Sequence, residues 1–126
     1  MSLICCLSVT VGFSQTQAQM NSDANATFQK ADKELNVVYQ KILKEYKDDP
    51  VFIKSMITAQ KLWVQLRDAD VKMMYPDREA GYYGSVLPMC VSEYKAQLTK
   101  ERTTKLKRWL TGVEEGDVCS GSVKIN

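Results

Sequence analysis

Residues 59–70 read Ala-Gln-Lys-Leu-Trp-Val-Gln-Leu-Arg-Asp-Ala-Asp, and this stretch decides the predicted fold. Read as a helix, it carries an apolar stripe at steps of three and four residues, beside a second row that mixes an aromatic ring with charges. Apolar side chains on one helix face normally pack inward, so the stripe predicts the face turned to the core. The stripe contains Ala59, Leu62, Leu66, Ala69 and Met73, and the second row contains Gln60, Trp63, Arg67, Asp70 and Met74.

We interpret the second row as a structural contact between helices. Arg67 and Asp70 are three residues apart, so they are expected to pair along the helix while Trp63 covers the guanidinium plane. On a later helix, Leu98 and Arg102 lie one turn apart and are the expected partners of this row. The alternative is that the row forms a ligand site. The predicted structural motif comprises Ala59, Trp63, Arg67, Asp70, Leu98 and Arg102.

Three amphipathic segments predict an all-α fold. Apolar residues at helical spacing indicate a first helix over residues 27–46. Asp49 can cap a second helix that begins at Pro50, and Tyr75 ends it because a residue before proline avoids the helical region. A third helix is predicted from Pro88 to Thr111, where Gly112 terminates it. We expect a small antiparallel three-helix bundle with a long middle helix, which lies between the other two.

Both ends of the chain are predicted to lie outside this helical domain, which takes residues 27–112. Residues 3–13 form an apolar run too short to span a bilayer, and small residues follow it, which is typical of a secretory signal peptide over residues 1–18. Polar residues 19–26 are expected to be a flexible lead-in, and residues 113–126 a loose tail. The protein is therefore expected to be exported, either to the periplasm or out of the cell.

The four cysteines fall into two groups. Cys5 and Cys6 leave with the signal peptide, and a lipid anchor there is the weaker alternative because the residues before Cys5 are not small. Export into an oxidising compartment favours a disulfide between Cys90 and Cys119. The alternative is a buried thiol at Cys90 and a free one in the tail.

Composition argues against most enzyme classes. The 126 residues contain no histidine, which excludes Ser-His-Asp and Cys-His nucleophiles and histidine-based zinc sites. No phosphate-binding glycine loop or metal-ligand cluster is present in the sequence. The net charge of +2 is spread along the chain, so nucleic-acid binding is not expected. We predict a protein that is not an enzyme and that needs neither cofactor nor metal.

The connector over residues 76–88 is the candidate binding surface. It contains two prolines and two glycines, which predict a loop, and the glycines flank Tyr82 and Tyr83. Tyrosines in such loops supply contact area at low entropic cost. The alternative is that one of these tyrosines tucks under the helices and holds the loop down. The predicted partner-binding residues are Asp77, Arg78, Tyr82 and Tyr83.

Three blocks of sequence carry a family resemblance. They are residues 31–39 (Ala-Asp-Lys-Glu-Leu-Asn-Val-Val-Tyr), Ala59-Gln60 with Trp63 and Arg67-Asp68-Ala69, and Cys90 with Leu98-Thr99 and Arg102. With these blocks the chain resembles the lysozyme inhibitor LprI-like N-terminal domain family. The resemblance implies a small exported all-α domain, and the family's name suggests a protein-binding module that inhibits a lysozyme-type cell-wall hydrolase. The alternative function is a non-catalytic module of the cell envelope that binds another protein or peptide.

One departure from the family concerns its disulfide. The family often has a cysteine just after the Arg-Asp-Ala block, and that position falls near Val71 here. The family's own bond therefore does not apply to Cys90.

Overall fold

The computed structural model describes residues 10–126, with side chains from Thr16 onward, and is built from three helices. They are α1 (Thr10–Glu45), α2 (Pro50–Met74) and α3 (Leu87–Thr111). Residues 10–126 contain no strand, only an isolated bridge between Val113 and Ile125. The all-α prediction is confirmed. The longest helix is α1, with 36 residues, and not the middle helix, which has 25.

The N-terminal region differs from the predicted lead-in. Residues 19–26 are part of α1, where Ala24 is buried and the Asn21 side-chain amide donates to the Ser85 carbonyl at 3.2 Å. The prediction of a flexible lead-in is therefore wrong, because these residues are helical and contact the end of the α2–α3 loop. Of the predicted signal peptide, residues 1–9 with Cys5 and Cys6 lie outside the described residues, and residues 10–18 form the first turns of α1.

The ends of α2 and α3 follow local sequence signals. The Asp49 carboxylate accepts a hydrogen bond from the Phe52 backbone N–H at 3.1 Å, and Pro50 takes the first helical position, as predicted. Gly112 ends α3 with a φ of 81°, which favours glycine. A Cβ there would also lie 2.5 Å from Oδ1 of Asn126, so this position needs glycine for a second reason.

The core forms mainly where α1 packs along α3. Small residues at their contact, including Ala31, Ala96 and Thr103, are buried and allow the two helices to approach closely. α1 and α3 are parallel and α2 is antiparallel to both, because Phe52 at the start of α2 meets Tyr46 and Trp109 near the ends of the other two. The expectation that α2 separates α1 from α3 is wrong. The main buried cluster is Leu35, Val38, Ile42, Phe52, Met56 and Leu106.

The apolar stripe of α2 faces solvent, which corrects the prediction that it faces the core. Leu62, Leu66 and Met73 are 59%, 57% and 70% exposed. Phe52, Met56 and Arg67 are instead the buried side chains of this helix. The two rows are about one residue step apart on the helix, so spacing alone cannot decide which one turns inward. The hydrogen bonds from Arg67 to Asp32 of α1 and Thr99 of α3 turn its row inward.

The C-terminal tail is folded and not loose. Val123 is 6% exposed, and Val113 exchanges backbone hydrogen bonds with Lys124 and Asn126. The Tyr46 hydroxyl donates to the Trp109 carbonyl at 2.8 Å and accepts from the Lys124 backbone N–H at 3.0 Å. This hydroxyl therefore links the ends of α1 and α3 to the tail.

Replacing Tyr46 by phenylalanine is expected to lower the free energy of unfolding by about 1–2 kcal/mol, because two hydrogen bonds to backbone groups are lost. Urea denaturation followed by circular dichroism measures the change. A stability equal to that of the parent protein would mean that the hydroxyl does not hold the tail.

The predicted disulfide between Cys90 and Cys119 is wrong for this fold. Both residues are free thiols, half-buried at Cys90 and exposed at Cys119. Asp117, which lies two residues before Cys119, pairs with Arg108 at 3.8 Å near the end of α3. From Cys90 to Arg108 the helix rises about 27 Å, whereas bonded cysteines have Cα atoms less than about 7 Å apart.

Replacing Cys119 by serine is therefore expected to change the free energy of unfolding by no more than about 0.5 kcal/mol. The parent protein should also melt at the same temperature with and without a reducing agent. A large fall in melting temperature on reduction would restore the disulfide prediction.

Candidate functional site

The loop between α2 and α3 is pinned by one of its two tyrosines. The Tyr83 hydroxyl donates to the Pro76 carbonyl at 2.7 Å, and its ring lies edge-on to Tyr75 with centroids 5.7 Å apart. Burial, with a smaller contribution from the adjacent Cys90, raises the pKa of the Tyr75 phenol. These contacts of Tyr83 therefore hold the loop against the end of α2. The sequence had left open that one of the two loop tyrosines holds the loop down, and Tyr83 is the residue that does so.

The other tyrosine projects from the loop. Tyr82 is 58% exposed, and its ring lies edge-on to Tyr83 at 4.9 Å. The Arg78 guanidinium lies over the Tyr82 ring, 5.5 Å from its centroid. Asp77 is paired with Lys72 at 2.7 Å and is exposed. Of the four predicted binding residues, Arg78 and Tyr82 thus form one exposed unit, while Asp77 and Tyr83 are bound to the protein itself.

Arg67 joins all three helices. Its Nη1 bonds Asp32 of α1 at 3.2 Å and lies 3.4 Å from the Thr99 hydroxyl of α3, while its Nε lies 3.4 Å from Asp68. The expected pair with Asp70 is wrong, because Asp32 and Asp68 take the guanidinium. The arginine is 9% exposed and its charge is paired, so its geometry is that of a structural contact.

Trp63 lies beside this arginine and borders open space. The guanidinium groups of Arg67 and Arg102 lie 5.2 Å and 5.7 Å from its ring centroid. Arg102 also donates from Nε to Oε1 of Gln60 at 3.0 Å, so this arginine contacts the row as predicted. Leu98, the other expected partner, is half-buried, and Ala59 is exposed.

Sequence reasoning missed the partners of Arg67. Asp32 and Thr99 lie on other helices, more than thirty residues away along the chain, and helical spacing carries no information about them. Both residues belong to the blocks that carry the family resemblance, which was the only signal for them.

The described side chains include no group of three or more histidine, cysteine, aspartate or glutamate residues placed to hold a metal ion. None of the helices within residues 10–126 has the length and apolar character needed to cross a membrane.

Comparison with known proteins places this geometry in context. The model of a family described as lysozyme inhibitor LprI matches residues 12–106. A relative, an uncharacterized protein of Rhizobium meliloti (strain 1021), is 30% identical over 113 residues, which cover 79% of this chain and 77% of the relative. No solved structure matches the chain significantly.

Proposed function

We propose that this chain, which belongs to the lysozyme inhibitor LprI family, is an exported module that binds and inhibits a lysozyme-type cell-wall hydrolase. The family is one of inhibitors and is generally non-catalytic, and its members are typically exported. The observation that carries the proposal for this chain is the exposed Arg78–Tyr82 unit on the α2–α3 loop.

The Arg78–Tyr82 unit lies on a loop whose backbone is already held in place, which favours binding. Tyr83 is bonded to the Pro76 carbonyl and packed against Tyr75, so the loop needs little ordering when a partner binds. A lysozyme-type hydrolase carries two catalytic carboxyl groups in a cleft that accepts sugar rings. The Arg78 guanidinium can pair with a carboxylate, and the Tyr82 ring can enter the cleft in place of a sugar.

Long-range electrostatic attraction does not speed the association of this protein with a basic lysozyme. Arg78 lies between Asp77 and Glu79, and the net charge of the chain is only +2. Affinity for a basic hydrolase must therefore come from short-range contacts of the loop, and we expect inhibition to depend weakly on salt.

Replacing Tyr82 by alanine is expected to raise the concentration needed for half inhibition at least about tenfold, as for a contact residue at the centre of an interface. The melting temperature should not change, because the ring is mostly exposed. The measurement is lysis of a peptidoglycan suspension by a panel of lysozymes in the presence of excess protein.

Leu62→Ala is the matched control, because Leu62 has the same degree of exposure but lies on α2. It should leave inhibition unchanged. Lysis that proceeds at the same rate with every lysozyme tested would overturn the inhibitor function. Loss of inhibition in Leu62→Ala but not in Tyr82→Ala would move the binding surface to α2.

The exposed stripe on α2 favours a second candidate function. Leu62, Leu66 and Met73 form an apolar surface that the described part of the chain does not cover, and such surfaces often bind proteins. A non-catalytic envelope module that uses this stripe to bind another protein would leave lysozyme active.

A further inference from the structure

A groove between α1 and α2 has a lining rich in hydrogen-bonding groups. Its volume is about 520 Å³, within the range of small-molecule sites. Leu35 and Val64 are the aliphatic residues of its lining, and of these Val64 is 37% exposed whereas Leu35 is buried. The lining side chains that carry hydrogen-bonding groups are Gln29, Asp32, Asn36, Tyr39, Gln60 and Trp63.

Several of these groups are free to bond a ligand. Among the described side chains, the amides of Gln29 and Asn36 and the hydroxyl of Tyr39 have no hydrogen-bond partner. Gln60 accepts from Arg102 through Oε1, which leaves its NH2 group available. Burial raises the pKa of the Tyr39 phenol, so its hydroxyl stays protonated and able to donate.

The groove offers little net charge. The Asp32 carboxylate is paired with Arg67, and Lys33 at the rim is the other charged residue of the lining. A phosphate site would need several cations or a helix N-terminus, and neither is present in this lining. The ligand that fits is therefore neutral and rich in hydrogen-bonding groups.

We propose that this groove binds a neutral saccharide. A primary amide presents a donor and an acceptor side by side, which matches a pair of neighbouring hydroxyl groups; Gln29 and Asn36 supply two such amides, and Gln60 adds a free NH2 group. Val64, which is 37% exposed, and the half-buried Trp63 ring can cover the C–H faces of a sugar ring. An extended peptide is the poorer fit, since it binds by adding to a sheet edge or filling anchor pockets, and this groove has no sheet edge.

The lining is also where two parts of the family resemblance meet. Residues 31–39 contribute Asp32, Asn36 and Tyr39, and the block that begins at Ala59 contributes Gln60 and Trp63. Packing of α1 against α2 explains Asp32, which bonds Arg67. Asn36 is an exposed amide with no partner among the described side chains, so it is accessible to a ligand.

Nuclear magnetic resonance titration of the protein with tri-N-acetylchitotriose, cellotriose and maltotriose tests the proposal, with trialanine as the peptide probe. At least one saccharide should shift the side-chain amide signals of Gln29 and Asn36 and the indole N–H of Trp63. The three sugars differ in linkage and in the N-acetyl group, so their order of affinity identifies the preferred class.

Asn36→Ala should raise the Kd for that saccharide by about fivefold or more, as expected for one lost hydrogen bond. Asn25→Ala is the matched control, because Asn25 is an exposed amide of α1 outside the groove, and it should leave the Kd unchanged. Absence of shifts with every saccharide, shifts with trialanine alone, or equal weakening in both variants would overturn the proposal. Lysozyme inhibition plays no part in the readout, so this outcome is independent of the proposed function.

Discussion

Replacing Leu106 by alanine is expected to lower the free energy of unfolding by about 3–5 kcal/mol. Leu106 is 2% exposed and lies in the main cluster with Leu35 and Ile42, where α3 meets α1. The residue is enclosed by two helices that pack closely, so the surroundings cannot collapse into the space left by the missing side chain. Small domains have about 5–15 kcal/mol of stability, so this single change should remove a large part of it.

Leu66→Ala is the matched control for this experiment. It removes the same atoms from a leucine of α2 that is 57% exposed, and we expect a loss below about 1 kcal/mol. Urea denaturation of both variants under the same conditions measures the difference. Equal losses would mean that the apolar stripe of α2 faces the core, as its spacing had predicted.

Replacing Arg67 by alanine is expected to lower the free energy of unfolding by about 2–3 kcal/mol. The loss comes from the bonds to Asp32 and Thr99 and from the packing of the guanidinium between the rings of Trp63 and Phe28. Breaking a fully buried ion pair costs more. Here the Asp32 side chain is 49% exposed, so water can solvate the carboxylate that is left behind.

Two further substitutions separate the contribution of the planar guanidinium group from that of its positive charge to the free energy of unfolding. Arg67→Lys keeps the charge but loses the planar fork, so it should recover less than half of the loss. Asp32→Asn should cost less than about 1 kcal/mol, because it changes only the more exposed partner. Full recovery in Arg67→Lys would show that charge alone holds the three helices at this point.

Local signals in the sequence predict the ends of helices well. Asp49, Pro50 and Gly112 act through their own backbone and nearest neighbours, and each occupies the predicted position. The three blocks that carry the family resemblance likewise predict the all-α fold. These features need no knowledge of what the helices pack against.

The orientation of α2 and the extent of α1 could not be predicted in the same way. The apolar stripe looks like a core face by composition, but Arg67 turns the neighbouring row inward through Asp32 and Thr99 on other helices. Residues 19–26 are polar and unremarkable in sequence, and contacts such as that between Asn21 and Ser85 hold them helical. In the α2–α3 loop, only the fold shows that Tyr83 holds the backbone while Tyr82 is exposed.

The parallel packing of α1 against α3 has a kinetic consequence. Leu35 and Ile42 meet Leu106 only after the whole of α2 and the loop have been synthesised, because about half of the chain separates these residues. A nascent chain that ends before Leu106 keeps the inner face of α1 open to solvent, and α2 covers only part of it. Collapse to the native state must therefore await the last helix, and a fragment made of the first two helices should not fold by itself.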